Sequence, residues 1–219
     1  MSLSELWSLY GQNYIDALLA TWGMTLESFA IAMALAVAVT VMRVSPLKPL
    51  RVFGDLYVQV FRNIPGIALL IIVVYALPPL KIVLPYRTCV IVATVLLGSA
   101  FGSENFMSGI NTVGVGQVEA ARSLGMSFSR ILAKIVIPQA LRSSVLPMTN
   151  LFIAVMLTTA LGSQVPLQPQ ELTGVVSYIN TRSLGGVAAF FISALGYLGT
   201  AFVVSHIGNY IDKKVRILR

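Results

Sequence analysis

Long runs of apolar residues, closed by prolines or by clusters of charged residues, dominate the pattern along the chain. Five runs are near or above the roughly 20 residues that a helix needs to cross a lipid bilayer. They cover residues 22–42, 54–77, 85–107, 147–163 and 186–207, and a polar-rich stretch at 108–146 separates the third run from the fourth. The pattern therefore predicts an all-α integral membrane protein, with one transmembrane domain over residues 1–219 and five transmembrane helices.

The composition agrees with a multi-pass membrane protein and excludes an ordinary soluble enzyme. Hydrophobic residues make up 57% of the 219 positions and charged residues only 11%, against about 45–50% and about 25% in soluble domains. So little polar surface could not cover a soluble globule of this size. The single cysteine and the single histidine cannot assemble a Cys/His metal centre, so neither a metal nor another cofactor is expected.

Basic residues divide unequally between the two sides that the five spans define. Cytoplasmic loops of membrane proteins carry an excess of Lys and Arg. Three basic residues fall on one side, namely Lys81, Arg87 and Arg182. The other twelve form three groups of four: Arg43, Lys48, Arg51 and Arg62; Arg122, Arg130, Lys134 and Arg142; Lys213, Lys214, Arg216 and Arg219. The count predicts an outside N-terminus and an inside C-terminus, and it explains the net charge of +7 without a nucleic-acid partner.

The second apolar run contains an arginine and a helix-breaking pair in its interior. Arg62 and Asn63 precede Pro65, which lacks a backbone donor, and Gly66, which loosens the next turn. Transporters place solute sites at interrupted helices of this kind, because the freed backbone groups face a cavity there. An arginine in such a place would attract a carboxylate. The alternative is that Arg62 extends to the cytoplasmic headgroups and binds no solute.

The polar-rich stretch predicts a short helix over residues 117–124, bounded by glycines on both sides. Val118, Ala121 and Gly125 fall on one small face of this helix, and Glu119 points elsewhere. Because the protein has little else outside the bilayer, a structured cytoplasmic loop indicates that a partner protein binds there. The alternative is an interfacial helix that lies on lipid.

Two further helical pieces are predicted before the fourth span. An amphipathic helix runs over residues 128–136 with Ser127 as its N-cap. Pro138 breaks it, because proline cannot continue the hydrogen-bond ladder of a helix. The next piece, residues 139–146, leads into the span that begins at Pro147.

The loop and the broken span together resemble the permeases of bacterial ABC importers. Their EAA loop reads Glu-Ala-Ala, three residues, Gly, then about nine residues before Ile-x-Leu-Pro. The matching positions here are Glu119, Ala120, Ala121, Gly125, Ile135, Ile137 and Pro138, with Ile137 in place of the usual Leu. The stretch from Arg62 to Pro65 resembles the Arg-Asn/Gly-Thr-Pro signature of the polar amino-acid subfamily. From Thr25 onward the chain looks most like the smaller permease subunit of actinobacterial glutamate importers.

This resemblance implies an ABC type I importer permease fold in the cytoplasmic (inner) membrane of a bacterium. Two permease subunits would form the pore, an ATPase dimer would dock below it, and an extracytoplasmic substrate-binding protein would deliver a polar amino acid such as glutamate. The short loop helix would be the coupling helix on the ATPase. Its contacts would come from Gln117, Glu119, Ala120, Ala121, Arg122 and Gly125.

The chain itself is not expected to be an enzyme. Gly109 and Gly114 have the glycine spacing of an ATP-binding phosphate loop, but Val115 stands where that loop requires lysine. The resemblance therefore assigns ATP hydrolysis to the partner subunits.

The end of the fourth span is the second part of the predicted solute pathway. In the family the matching stretch lines the amino-acid pocket, which implicates Thr158 and Thr159. This chain has Leu157 where the family has Lys and Met107 where it has Arg, so two positive charges are missing. Either a different second permease subunit carries the solute pocket, the interpretation we favour, or the solute is not a simple acidic amino acid. For the threonines, the alternative is that their hydroxyls bond to carbonyls one turn earlier.

Two other functions are compatible with the sequence. An ion-coupled secondary carrier would need no ATPase, but such carriers have two halves related by an internal repeat and paired broken helices. A non-transporting membrane scaffold, whose loop recruits a partner, would not need Arg62 or Thr158. Independently of function, we expect Glu104 to pair with a loop arginine and Glu27 to extend to the outer interface.

Overall fold

The computed structural model of the protein describes residues 2–182 and 186–215. These residues form helices and connecting turns, with no β-strand in either described range, which confirms the all-α prediction for them. Two of the basic residues in the charge count, Arg216 and Arg219, lie outside the described residues. The helices are α1 (Leu3–Val44), α2 (Lys48–Asn63), α3 (Gly66–Ile71), α4 (Tyr86–Asn111), α5 (Val115–Ser123), α6 (Phe128–Ile131), α7 (Ile137–Ser143), α8 (Val145–Thr158), α9 (Leu172–Asn180) and α10 (Gly186–Val215).

Four helical segments of the described chain are long and apolar enough to cross a membrane. They are α1, α4, α10 and the segment Val145–Gln164, in which a 3₁₀ turn continues α8. The predicted second span is not a straight helix. Its two arms, Lys48–Asn63 and Gly66–Leu80, are bent by 102° at the break and supply a fifth span if they cross together.

The first helix is much longer than the predicted span at residues 22–42. It begins at Leu3 because Ser2 and Glu5 form a capping box at its N-terminus. Its 42 residues extend about 63 Å, roughly twice the thickness of the hydrocarbon core. Leu6, Tyr14 and Ala17 in the additional turns pack against α9 and the start of α10. These contacts explain why a segment without a full-length apolar run is still part of the helix.

Small residues set the close crossing of α1 with α4. Ala32 and Ala36 are fully buried, and they face Gly98 and Gly102 of α4. A β-carbon added at Gly102 would lie 2.8 Å from that of Ala36, too close for any larger residue without movement. The other alanine row of α1, at 30, 34 and 38, is exposed. One row is therefore a helix contact and the other a surface that faces outward.

The stretch before α8 departs from the predicted break at Pro138. The helix that begins at Phe128 continues through a π-helical turn at Leu132–Val136 and directly into α7, which contains Pro138 near its start. A π turn leaves room for a proline that lacks its backbone donor. Helix α7 ends at Ser143, and α8 begins at Val145, two residues before the predicted start at Pro147.

Candidate functional site

A cavity of about 640 Å³ opens beside the break between α2 and α3. Its walls come from the end of α2, from α3, from α4, and from α8 with its 3₁₀ continuation. Most lining side chains are apolar, and the polar ones are Arg62, Thr94, Thr158 and Gln164. No Asp or Glu is among the described residues of the lining. The cavity therefore offers one positive charge and three uncharged polar side chains.

The break itself shapes one edge of this cavity. Helix α2 ends at Asn63, and Ile64 and Pro65 adopt extended backbone angles before α3 begins at Gly66. The Asn63 side chain donates a hydrogen bond of 2.6 Å to the Gln59 carbonyl and, like Pro65, does not line the cavity. Gly66 lines it, and a β-carbon added there would lie 3.1 Å from Leu97 and 3.3 Å from Leu161. Asn63 and Pro65 thus form the bend, whereas Gly66 faces the space beside it.

Arg62 lies between the cavity and a network of ion pairs. Its guanidinium is 3.4 Å from the Glu104 carboxylate and 5.5 Å from the centre of the Phe101 ring. The same carboxylate accepts a shorter bond of 2.8 Å from Arg43, which also pairs with Asp55 at 2.9 Å. Glu104 therefore pairs with arginines, as expected, and Arg43 is its shorter partner. Because Glu104 has that partner, Arg62 is the arginine of the network with a side chain open to the cavity.

The two threonines at the end of α8 differ in position. Thr158 lines the cavity and donates a hydrogen bond of 2.8 Å to the Ala154 carbonyl. Thr159 is fully buried and donates to the Met156 carbonyl at 2.6 Å. Both hydroxyl protons are thus bonded to the backbone of their own helix, and only Thr158 presents an oxygen to the cavity.

Two polar residues of the lining were not identified from the sequence. Gln164, at the end of the 3₁₀ turn, contributes an exposed side-chain amide. Thr94 is 1% exposed, and its hydroxyl has no hydrogen-bond partner; among the described residues, Ser28 and Ser193 share this property. The apolar run at 85–107 contains two threonines, Thr88 and Thr94, and the sequence alone does not distinguish them.

A buried carboxylate, also missed, lies between α8 and α10. Glu171 is fully buried and caps α9, accepting hydrogen bonds from the backbone of Thr173 at 2.6 Å and of Gly174 at 2.7 Å. The Tyr197 hydroxyl donates a third bond of 3.0 Å. Burial raises the pKa of the Glu171 carboxyl, and these hydrogen bonds oppose the rise. An acidic residue just before a helical pattern is the signal for such a cap.

A second ion pair corrects the expectation for Glu27. Its carboxylate lies 2.7 Å from the Arg87 guanidinium of α4. Both side chains are more than 40% exposed, so the pair contributes little to stability. Glu27 is therefore held by a partner helix and does not extend alone to the interface.

The predicted loop helix is present as α5. Gly114 precedes it, and after it Gly125 has a φ of 74°, a left-handed conformation that glycine adopts without strain. Ala121 is buried against Val113, Ile131 and Val136.

The remaining candidate coupling residues stay on the surface of this loop. Gln117, Glu119, Ala120, Arg122 and Gly125 are exposed. The Gln117 side chain accepts a bond of 2.7 Å from Gln139 of α7. Val115 and Leu124, at 70% and 82% exposure, add apolar surface at the two ends of the helix. Helix α5 is thus fixed to the protein on one side and open on the other.

The chain matches a family model described as "Binding-protein-dependent transport system inner membrane component" over residues 28–217. It is 33% identical over 208 residues to the glutamate transport system permease protein GluC of Corynebacterium efficiens, covering 90% of this chain and 91% of that one. The L-cystine transport system permease protein TcyB of Bacillus subtilis is 30% identical, with 95% and 91% covered. The "Probable glutamine ABC transporter permease protein GlnM" of the same organism is 30% identical, with 97% and 96% covered.

Two solved structures share the fold. One is a crystal structure of an amino acid ABC transporter with histidines, with a TM-score of 0.91, 24% identity, and 98% of this chain and 99% of that chain covered. The other is an inward-facing conformation of the MetNI methionine ABC transporter, with a TM-score of 0.74, 19% identity, and 99% and 100% covered. The chain therefore has the fold of a chain in each of these two ABC transporter structures.

Proposed function

The chain belongs to the family of binding-protein-dependent transport system inner membrane components, and we propose that it is the permease subunit of an ATP-driven importer of a polar amino acid, glutamate or a close relative. The observation that carries the proposal is the cavity at the broken helix, with Arg62 as its one lining cation. Relatives that transport glutamate and cystine match nearly the whole chain. A carboxylate is common to these amino acids, and an arginine in a partly desolvated cavity is suited to bind it.

The solute pathway in this proposal runs along the cavity wall. Arg62 attracts the carboxylate, Thr158 offers its hydroxyl oxygen, and Gly66 keeps the wall open beside the break. Asn63 and Pro65 act indirectly, because they form the bend that places Arg62, and Thr159 supports α8 from behind. Leu157 lies on the same wall where the resemblance expects a lysine. A second permease subunit, different from this one and richer in positive charge, would complete the pore.

Helix α5 would be the contact through which ATP hydrolysis in the partner subunits drives transport. In the proposed orientation, with the N-terminus outside and the C-terminus inside, the loop of residues 108–146 lies in the cytoplasm of a bacterial cell. Glu119, Arg122 and the exposed apolar ends of α5 would seat in an ATPase subunit, one of a pair. The buried Ala121 would transmit the movement of α5 to the residues behind it. An extracytoplasmic substrate-binding protein would deliver the amino acid at the opposite end.

The proposal is tested on the purified complex. The chain is expressed with its neighbouring transport genes, purified in detergent, and its subunits are identified. After reconstitution into liposomes, ATP hydrolysis and uptake are measured with L-glutamate, L-glutamine and L-cystine. We expect at least one of them to stimulate hydrolysis and to accumulate. Uptake by the isolated chain without an ATPase would instead show an ion-coupled carrier, and assembly without uptake would show a scaffold.

A further inference from the structure

Thr94, whose buried hydroxyl has no hydrogen-bond partner, is one of the residues that line the cavity beside Arg62. Thr94 shares one face of α4 with Leu97, Gly98 and Phe101, at the spacing of successive helical turns, and all four line the cavity. The Thr94 residue is 1% exposed, and its hydroxyl has no hydrogen-bond partner. A buried polar group without a partner is costly and uncommon in folded proteins. Of the three hydroxyls of this kind among the described residues, Thr94 alone belongs to a residue that lines the cavity.

Other threonines in the long helices show the arrangement that Thr94 lacks. Six of them donate their hydroxyl proton to the carbonyl four residues earlier: Thr21, Thr25, Thr40, Thr149, Thr158 and Thr200. This bond is available to any threonine inside an α-helix. Thr94 lies well inside α4, so the backbone offers it the same bond. Its hydroxyl is left free to donate elsewhere.

We propose that the Thr94 hydroxyl is a specificity-determining group of the cavity, which hydrogen-bonds the polar side chain of the transported amino acid while Arg62 faces its carboxylate. This proposal rests on the proposed function and adds to it the residue that recognises the side chain of the solute. The solute is an amino acid with a side chain that ends in a hydrogen-bonding group. An amino acid with a purely hydrocarbon side chain would leave the Thr94 hydroxyl unpaired and would be transported less well.

The two polar groups lie at different parts of the cavity wall. The Arg62 guanidinium lies over the ring of Phe101, which is seven positions, or about two helical turns, after Thr94. A solute that binds both must therefore carry a polar group at each end. The absence of Asp and Glu from the described lining disfavours a cationic side chain.

The test compares Thr94→Val, which has nearly the same shape but no hydroxyl, with the wild-type protein. Both are assembled with the ATPase and binding-protein partners in liposomes, and uptake per ATP hydrolysed is measured with L-glutamate, L-glutamine and L-cystine. We expect Thr94→Val to be at least as thermostable as the wild-type protein and to lose about three- to tenfold in uptake per ATP. Thr94→Ser, which keeps a hydroxyl, should retain most of the uptake.

Ser28→Ala is the matched control. Ser28 is the equivalent case in α1, with a buried hydroxyl that lacks a partner, but it does not line the cavity. Its removal should leave uptake per ATP unchanged. If Thr94→Val does not assemble, Thr94→Ala removes the same hydroxyl with less bulk and is measured in the same way.

The outcomes separate the two proposals. Wild-type uptake of one of these amino acids together with unchanged uptake in Thr94→Val would overturn the role of Thr94 alone. No uptake of any of them by the wild-type complex would overturn the proposed function, and the role of Thr94 with it.

Discussion

Arg62 shows how one side chain can serve both a structural network and a solute. Its distance from Glu104 is 3.4 Å, against 2.8 Å for Arg43, and its side chain is 39% exposed. Glu104, which is partly buried, keeps Arg43 as its charge partner if Arg62 turns toward the cavity. The ion-pair network therefore holds Arg43 in place and leaves Arg62 available to bind a solute.

The substitution Arg62→Ala should therefore reduce transport more than assembly. We expect uptake to fall about tenfold or more, because a charge-assisted hydrogen bond to the solute is lost. The amount of complex purified per cell should stay near that of the wild-type protein, since Arg43 still neutralises Glu104. Uptake kinetics and complex yield are measured side by side, with Arg62→Lys as a variant that keeps the charge. Unchanged uptake in Arg62→Ala would show that this arginine does not bind the solute.

The buried Glu171 should make the stability of the folded protein depend on pH. Burial raises the pKa of its carboxyl, so the folded protein favours the protonated form relative to the unfolded chain. The stabilisation is fully present below the ordinary carboxyl range and is lost as the pH rises through the raised pKa. The glutamine of Glu171→Gln does not titrate, so this variant loses no stability by this route as the pH rises.

We expect the melting temperature of Glu171→Gln, relative to the wild-type protein, to increase as the pH is raised from about 4 to about 8. Purified protein in detergent is suitable for the measurement. Asp16→Asn, at an exposed position of α1, is the control, and its difference from the wild-type protein should vary much less. If the melting temperatures of Glu171→Gln and the wild-type protein differed by the same amount at every pH, the Glu171 carboxyl would not control this pH dependence.

At the scale of the element, α5 combines a fixed side with an open one. Ala121 anchors the helix against its own loop, while Glu119 and Arg122 remain exposed. The turn that ends α5 depends on the positive φ of Gly125, which proline cannot adopt. A charge reversal on the open side and a distortion of the turn should thus have the same effect on docking.

Both Glu119→Lys and Gly125→Pro should abolish copurification of the ATPase while the transmembrane helices still insert. Copurification through a tag on the permease and membrane fractionation are the two measurements. Asp16→Lys reverses an equally exposed charge on α1, far along the chain from α5, and should leave copurification intact. Normal recovery of the ATPase with Glu119→Lys would refute the role of α5 as the coupling helix.

The elements that a sequence predicts well are those with a local signal. The apolar runs and the glycine-bounded loop helix predicted α4 and α5 to within a few residues and the start of α10, but α10 continues eight residues past the predicted end at residue 207. The N-terminal extension of α1 depends on tertiary contacts with α9, which no local pattern reveals. The helical path through Pro138 needs a π turn, and the 102° bend depends on what packs on either side of Ile64 and Pro65. Thr94 and Glu171 were missed for the same reason, because a lack of partners and complete burial are properties of the fold.

At the scale of the whole molecule, the charge distribution predicts the orientation in the membrane. The basic residues of α2, of the 108–146 loop and of the α10 end belong to one side, and Lys81 and Arg87 to the other. The natural Cys89 is buried, so replacing it by serine provides a background for single-cysteine labelling. In that background, Lys81→Cys should react with a membrane-impermeant maleimide on intact cells, whereas Arg122→Cys should react only after the membrane is opened. Labelling of position 122 on intact cells would show that the orientation is the opposite of the predicted one. Helix α5 would then lie outside the cell, where it could not contact the ATPase.

The length of α1 has a mechanical consequence. Near the middle of α1, the Thr21 hydroxyl accepts a bond of 3.2 Å from the backbone of Leu172, beside the buried Glu171; near the C-terminal end, Arg43 holds Asp55 and Glu104. No proline interrupts the helix between these points, which are about 33 Å apart along its axis. The helix is therefore a stiff lever: a tilt of about 10° about one end displaces the other by about 6 Å. In the proposed importer, a movement at the ion pairs around Arg43 would then reach the region of Leu172 through this one helix, with no need for a separate messenger.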